Sequence, residues 1–307
     1  MKKRYMVQIW LNAAMLLFFI ALFIVGTFCD ETVEAALYSP GNIVATVITC
    51  TGVYPFSAAP ALFIGALFER TLRSQKSKGV KTALCIVCIA AGLFMGLVGG
   101  GIITDRNCLG YFFPDFHRNI PVMAVVSVIL IYPLFFVGYR FAKKSDDKYL
   151  SQRIIGLLIL MIIAFAAMEL LKGFFSRPRY RIAVLGYEGI GFVPWYTRFS
   201  GASDLMEQYG LIADEFRSFP SGHSIQSVSA VYILPALSWL FPKLKDKQLA
   251  LSIAGLVFGI LIMFTRIVLG AHYLSDVSAG AIIGSLLSLA FTAVQIRISA
   301  KSSREAA

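Results

Sequence analysis

The sequence predicts an all-α membrane protein, a bundle of eight transmembrane helices. Of its 307 residues, 58% are hydrophobic and only 15% are charged, whereas about a quarter are charged in an ordinary soluble domain. The apolar residues form eight runs of the length needed to cross the hydrocarbon core of a bilayer, about 20 residues. These long runs disfavour a transmembrane β-barrel, in which apolar residues alternate with polar ones. A disordered chain or a coiled coil is excluded by the same composition.

The first two predicted segments have features of their own. The first follows Lys2, Lys3 and Arg4, but its apolar run is longer than that of a signal peptide and no small-residue cleavage site follows, so we interpret it as an anchor. The second contains Pro55 and Pro60, which predict a kink or a break. The eight segments are 7–28, 44–68, 82–103, 120–142, 154–174, 222–241, 248–268 and 276–297.

Most of the 28 basic residues lie in alternate connections. Positively charged loops stay in the cytoplasm, so both termini and the tail 299–307 are predicted to be cytoplasmic. The basic residues occur in short clusters between apolar runs, which argues against nucleic acid as a partner despite the net charge of +11. The connections concerned are the N-terminus, 69–81, 140–153, 241–247 and the C-terminal tail.

The remaining basic residues fall on the opposite face, mainly in or beside a long loop over about 173–221. The positive-inside rule disfavours them there, so they need another reason, and an anionic ligand is a natural one. The loop is rich in aromatic residues, which either form an interfacial belt or contact substrate as a lid.

The five cysteines do not suggest a disulfide framework. Cys85 and Cys88 lie within an apolar helix-length run, where they are expected to be small core residues. Cys29 and Cys108 fall in predicted outer loops, and a disulfide between them is left open.

Three polar clusters lie at the predicted outer ends of the membrane helices. In the first, Ser221 is expected near the N-cap of a helix, with Gly222 and His223 in its first turn, an arrangement suited to a phosphate. In the second, His272 and Asp276 are four residues apart, so a helix would place them on one face. The third cluster, Lys172 to Tyr180, supplies an ammonium and guanidinium groups.

Each cluster alone has an ordinary structural explanation, such as a basic side chain reaching the lipid headgroups. Together, with Arg266, they place three cations, two imidazoles and a carboxylate on one predicted face. This is the set of groups needed to transfer a phosphoryl group to an imidazole nucleophile.

These motifs resemble the signature of the type 2 phosphatidic acid phosphatase (PAP2) superfamily, which includes the vanadium haloperoxidases. The signature reads K-x6-R-P, then P-S-G-H, then S-R-x5-H-x3-D. The chain departs from it at Tyr180, where the family has proline, and at Thr265, where it has serine. Arg177 and Pro178 also read as R-P in another register. The matching residues are Lys172, Arg179, Pro220, Ser221, Gly222, His223, Arg266, His272 and Asp276.

The resemblance implies a six-helix phosphatase core at 82–298, preceded by an additional pair of helices within 1–81. It implies that His272 is the nucleophile of a phosphohistidine intermediate, that Asp276 orients it, and that His223 protonates the leaving group. It further implies that the phosphoryl oxygens are bound by Lys172, Arg179, Arg266, Ser221 and the Gly222 N–H, without a metal or another cofactor. Two residues offer possible support: Glu169 pairs with Lys172 or forms an ordinary ion pair, and Arg177 extends the phosphate site or meets headgroups.

The expected function is therefore hydrolysis of a lipid phosphate monoester or pyrophosphate at the extracytoplasmic face, with the lipid bilayer as the other partner. Phosphatidic acid, phosphatidylglycerol phosphate and polyprenyl pyrophosphate are candidate substrates. A phosphotransferase using the same site is the alternative within enzymes. A transporter of phosphorylated lipid is disfavoured, because the charged residues gather at one face and not at the bilayer midplane.

Overall fold

The computed structural model describes residues 2–305, which are mostly helical and contain no β-strand. Short 3-10 turns occur at Pro114–Phe116, Ala213–Phe216, Leu237–Trp239 and Pro242–Lys247. The α-helices are α1 Lys2–Leu37, α2 Ile43–Gly52, α3 Tyr54–Leu72, α4 Lys78–Ile103, α5 Leu109–Phe112, α6 Ile120–Leu130, α7 Tyr132–Ala142, α8 Leu150–Phe175, α9 Tyr180–Ala183, α10 Ala202–Tyr209, α11 Gly222–Val228, α12 Ala230–Ala236, α13 Gln248–Val268 and α14 Leu274–Glu305.

Within residues 2–305, seven helical stretches are long and apolar enough to cross a membrane. The chain is a multi-pass integral membrane protein, as predicted, but the count of eight is not confirmed. The remaining predicted segment, 222–241, is divided at Ser229 into the short helices α11 and α12. The seven stretches are Tyr5–Leu37, Ile43–Leu72, Lys78–Ile103, Ile120–Ala142, Leu150–Ala183, Pro242–Val268 and Leu274–Glu305.

Two of these stretches are interrupted at a single residue, and in both a proline lies in the first turn of the helix that follows. The predicted break in the second segment is confirmed, because α2 ends at Gly52 and α3 begins with Pro55 in its first turn. A second break, at Ile131 between α6 and α7, was not predicted; Pro133 follows it in the first turn of α7. Proline lacks an N–H and is best accommodated at the start of a helix, which accounts for both positions.

One compact unit comprises Met1–Gly52, Ile162–Ser229 and Val257–Leu289, and it contains all the candidate site residues. In this unit α1 lies against α14. Asn12 Nδ2 donates to the Ser288 carbonyl at 3.2 Å, and a Cβ on Gly26 would lie 2.5 Å from the Ser275 backbone nitrogen. Glycine at position 26 therefore allows the two helices to approach closely.

The second unit comprises Val53–Met161, Ala230–Leu256 and Ala290–Ala307. Here α3 packs against α4 and α7. A Cβ on Gly138 would lie only 1.8 Å from the Leu62 carbonyl oxygen, so the backbones of α3 and α7 are in direct contact. Small residues at such crossings are typical of membrane helices. The domain boundaries expected at 81 and 298 stay predictions.

None of the five cysteines, all of which lie within the described residues, takes part in a disulfide. The disulfide left open between Cys29 and Cys108 is therefore not formed in this structure. Cys85 and Cys88 are buried in α4, in line with the expectation that they are small core residues.

Candidate active site

The candidate site residues come from four short segments of the first unit. Most of them are buried, and His223 is half-buried. The first segment has Lys172 in the last turn of α8, followed by Arg177 and Arg179 in the irregular stretch after that helix. The second segment is the start of α11, with Ser221, Gly222 and His223. The third is the last turn of α13, with Arg266, and the fourth has His272 between α13 and α14 and Asp276 in the first turn of α14.

His272 is almost completely buried, and its ring is held by a backbone carbonyl. Its Nδ1 lies 2.6 Å from the Ser218 carbonyl oxygen and 3.9 Å from Asp276 Oδ2. The longer distance is beyond a hydrogen bond. A carbonyl oxygen only accepts, so Nδ1 carries a proton and donates it to Ser218. The direct orienting group is thus Ser218, which the sequence did not indicate.

The predicted cations all influence the pKa of His272. Burial is the main cause that holds the pKa of His272 well below its ordinary value, followed by the positive charges of Arg179, Arg266 and Lys172, with His223 adding to them. Three cations and a second imidazole from separate segments therefore act on one buried ring. A neutral imidazole is the form that this setting favours.

Ser221 and Gly222 open α11 beside Lys172. The Ser221 hydroxyl accepts a hydrogen bond from the Ser224 N–H at 3.3 Å, which confirms the predicted N-cap. A Cβ on Gly222 would lie 3.3 Å from Lys172 Nζ and 2.5 Å from Met168 Sδ. The absence of a side chain at Gly222 thus leaves the lysine ammonium next to the backbone of the first turn.

Asp276 is fully buried and accepts three hydrogen bonds. Its Oδ1 receives Arg177 Nη1 at 2.6 Å. Its Oδ2 receives the Ser218 hydroxyl at 2.5 Å and the Tyr273 N–H at 2.9 Å. Asp276 therefore has no direct hydrogen bond to His272, and its hydrogen-bonded link to the ring runs through Ser218, the residue whose carbonyl holds it.

Arg177 is also fully buried, and its guanidinium is bound on all sides by protein groups. Nε donates to the Val193 carbonyl at 2.7 Å, Nη1 to Asp276 and to Ser275 Oγ at 2.9 Å, and Nη2 to Asp30 at 2.9 Å. The guanidinium donors of Arg177 are thus directed at these protein groups. The sequence had suggested two other roles for Arg177, extension of the phosphate site and contact with lipid headgroups.

Arg179 has a different environment, since its carboxylate partner is partly exposed. Its Nε and Nη2 donate to the backbone carbonyl and the carboxylate of Asp214, both at 2.8 Å. Of the two alternatives for Glu169, the structure shows the ordinary ion pair, because its carboxylate binds Arg217 Nη2 at 2.5 Å. Glu169 thus forms an ion pair with an arginine of the long loop.

A comparison with protein families gives a match to the PAP2 superfamily over residues 153–299. Residues 153–299 belong to the PAP2 superfamily. The predicted family and enzyme class, a phosphatase of the PAP2 type, are confirmed. The match begins at 153, and the expected extension of the PAP2 core to residue 82 stays a prediction.

The curated relatives to which the chain is similar include three phosphatases from different organisms. Probable lipid phosphate phosphatase 4 of Arabidopsis thaliana is 28% identical over 69% of this chain and 73% of its own length. Lipid A 1-phosphatase of Rhizobium johnstonii is 34% identical over 53% of this chain and 60% of its own length. Phosphatidylglycerophosphatase B of Bacillus subtilis is 34% identical over 25% of this chain and 38% of its own length. No solved structure gives a significant match.

Aromatic side chains of the long loop line the segment that leads into the PAP2 motif Pro220–His223. Trp195 stacks on Phe219 with ring centroids 5.6 Å apart, and its Nε1 donates to Thr27 Oγ1 at 3.0 Å. Tyr196, by contrast, is 63% exposed. The loop therefore has an inward aromatic layer, and the interfacial belt and the substrate lid both stay predictions for its exposed side.

Reasoning from the sequence missed two residues that are hydrogen-bonded to the candidate site residues, Ser218 and Asp30. Ser218 acts through its backbone carbonyl, which no residue type signals. Asp30 did carry a signal, because a carboxylate in an apolar membrane helix is costly and tends to have a buried partner. The predicted segment ended at residue 28, whereas α1 continues to Leu37 and includes Asp30.

Proposed function

We propose that the chain hydrolyses a phosphate monoester or pyrophosphate of a lipid through a phosphohistidine formed on His272. One observation carries the proposal. A buried imidazole has its Nδ1 held by the Ser218 carbonyl, while three cations act on the same ring. The PAP2 match over 153–299, which includes His223 and His272, supports the same chemistry.

The nucleophilic atom follows from the hydrogen bond of His272. The Nδ1 proton of His272 is donated in a hydrogen bond to the Ser218 carbonyl. Because the proton is on Nδ1, Nε2 of the neutral ring has a lone pair available for attack on phosphorus. The low pKa of His272 keeps the ring neutral at physiological pH. When Nε2 forms the bond to phosphorus, the ring gains positive charge. Asp276, whose Oδ2 lies 3.9 Å from Nδ1, stabilises that charge.

The cations stabilise the other reaction partner. Charge on the equatorial phosphoryl oxygens is balanced by Lys172, Arg179 and Arg266, the residues that also lower the pKa of His272. Preorganised donors of this kind are each worth about 3 kcal/mol in a water-poor site. The Gly222 N–H and the Ser221 hydroxyl complete the proposed phosphate site.

His223 is proposed as the acid and then the base. In the first step, the bond from phosphorus to the lipid oxygen breaks, and this oxygen takes a proton from His223. In the second step, a water molecule attacks phosphorus and gives its proton to His223. The P–N bond then breaks, and its electron pair returns to His272 Nε2.

The lipid nature of the substrate is supported by two observations. The chain has several helices able to cross a membrane. The relatives are, by their names, phosphatases of lipid phosphate, lipid A and phosphatidylglycerophosphate. The distribution of basic loops further supports cytoplasmic termini and a site at the extracytoplasmic face.

The decisive experiment measures phosphate release from a panel of lipid phosphates and pyrophosphates in detergent micelles. His272→Ala should abolish phosphate release, and it should abolish labelling of the protein by a substrate that is radiolabelled in its terminal phosphoryl group, while the protein keeps its melting temperature. The label on the wild type should be acid-labile and alkali-stable, as expected for phosphohistidine. Asp204→Asn, an exposed position in α10, is the matched control.

Three outcomes would contradict parts of the proposal. An active His272→Ala would refute the nucleophile. Transfer of phosphate to an added lipid or sugar alcohol in place of water would identify a phosphotransferase. Loss of activity with chelator would contradict metal-independent chemistry.

A further inference from the structure

We propose that Asp30, in the N-terminal helix α1, is a positioning residue for His272. In this inference, which rests on the proposed function, Asp30 acts through Arg177 and Asp276 on the Ser218 carbonyl that holds the ring. The additional N-terminal helix, for which the sequence gave no role, would then complete the active site.

The first link joins α1 to the start of α14. Asp30 is 3% exposed, and its Oδ1 accepts the Ser275 N–H at 2.8 Å. Its Oδ2 accepts both the Ser275 hydroxyl and Arg177 Nη2. One carboxylate thus binds the backbone and the side chain of the residue preceding Asp276, together with a guanidinium.

The second link is the guanidinium of Arg177, which spans two buried carboxylates. One terminal nitrogen binds Asp30 at 2.9 Å and the other binds Asp276 at 2.6 Å. The Tyr273 ring lies against it, with the guanidinium carbon 3.9 Å from the ring centroid. Because the fork is planar and rigid, the position of Asp30 fixes the direction in which Arg177 presents its donors to Asp276.

The third link leads from Asp276 to the reacting ring. Asp276 Oδ2 accepts the Ser218 hydroxyl at 2.5 Å, and the Ser218 carbonyl accepts His272 Nδ1 at 2.6 Å. A shift of Asp276 would therefore move Ser218 and rotate the imidazole. Misplacement by about 1 Å is enough to lower a reaction rate about 100-fold.

The packing of α1 against α14 does not by itself explain why a carboxylate is buried at position 30. The contact between α1 and α14 is already provided by Gly26 against Ser275 and by Asn12 bonded to the Ser288 carbonyl. A buried charge inside an apolar helix is expensive, and it is tolerated where it has a buried partner and a function. Asp30 has that partner in Arg177.

The test compares Asp30→Asn with Glu31→Gln, the neighbouring exposed carboxylate on the same helix. The full chain is assayed with phosphatidic acid in detergent micelles, or with the lipid phosphate that the wild type prefers. Asp30→Asn should lower kcat about 10- to 100-fold. Its KM should stay within about threefold, because Asp30 touches no substrate. Glu31→Gln should match the wild type in both constants.

A double-mutant cycle with Arg177→Gln separates positioning from general loosening of the fold. If both residues act in one chain of contacts, Asp30→Asn should lower kcat by less than about threefold further in the Arg177→Gln background. Multiplicative effects of the two substitutions would overturn the inference. Arg177→Lys keeps the charge but loses the fork, so it should lower kcat even where Asp30→Asn fails to fold.

The two proposals fail in different ways. A wild type that releases phosphate from no lipid phosphate would refute the proposed function. If the wild type is active and Asp30→Asn has the same kcat, the role of Asp30 is refuted while the proposed function stands. The same holds if Arg177→Lys folds and has the kcat of the wild type. A raised KM with unchanged kcat would also overturn that role, because it would indicate substrate binding.

Discussion

Replacing Asp276 with asparagine should lower kcat about 1000-fold, mainly by removing a charge. Nδ1 of His272 lies 3.9 Å from Asp276 Oδ2, and the imidazole becomes positive when Nε2 bonds to phosphorus. At that distance, with an effective dielectric constant of about 20, the attraction between two unit charges is about 4 kcal/mol. Each 1.36 kcal/mol changes a rate about tenfold, so losing this attraction removes about three powers of ten.

The same substitution also disturbs the hydrogen bonds around Asp276. The carboxylate serves three donors, from Arg177, Ser218 and Tyr273. Asparagine has one acceptor oxygen, and its amide group would face a donor. At least one buried partner would lose its bond, at a cost of about 1–3 kcal/mol in stability. The melting temperature should therefore fall moderately, while the protein still folds.

The assay measures kcat for phosphate release by the wild type, Asp276→Asn and the control Asp204→Asn. Single-turnover labelling of His272 shows whether the slow step is formation of the phosphohistidine. A folded Asp276→Asn with kcat within tenfold of the wild type would refute the reasoning, because no charge-stabilising role would then be needed.

Three further predictions concern protonation, anion binding and topology. Because the pKa of His272 lies well below its ordinary value of about 6.5, protonation of His272 should cause no loss of kcat at saturating substrate as the pH falls through 6.5; half-loss at or above that pH would contradict this. Arg179→Gln should weaken inhibition by orthovanadate about 10- to 100-fold. Arg181→Gln should not, since Nε and Nη2 of Arg181 are held by Glu215, whose side chain is only 14% exposed, against 30% for the Asp214 partner of Arg179; equal effects would argue against the assignment. A fluorescent reporter fused after the last residue should be active, and an alkaline phosphatase reporter there inactive; the reverse would invert the proposed topology.

Much of the fold could be predicted because hydropathy records which residues avoid water. The segment predicted at 248–268 coincides with α13. Hydropathy does not record where a helix ends, and the prediction for α1 stopped at residue 28 although the helix continues to Leu37. Two of the three charged residues there, Asp30 and Glu34, are buried, and their burial depends on tertiary partners that a sequence window does not contain.

The site was predictable where chemistry resides in the side chain. His272 and the cations were identified from motif spacing, and the positive charges of Lys172, Arg179 and Arg266 all contribute to lowering the pKa of His272. Ser218 was not identified, because every residue has a carbonyl and only the fold selects one of them. The pairing of Arg177 with Asp30 could not be predicted either, because the two residues are 147 positions apart in the chain and only the fold brings them into contact.

Arg177 and Arg179 illustrate how the fold divides tasks between two arginines that the sequence leaves interchangeable. Arg177 is bound between two buried carboxylates, and a phosphate could reach it only by displacing Asp30 or Asp276. Arg179 is bound by Asp214, whose side chain is 30% exposed. A partly hydrated carboxylate gives way to an incoming dianion at a lower cost than a buried one does, because it can return to water. The two positions thus differ in what surrounds them, and this difference favours Arg179 as the arginine that binds phosphate and Arg177 as the one that holds the histidine in place.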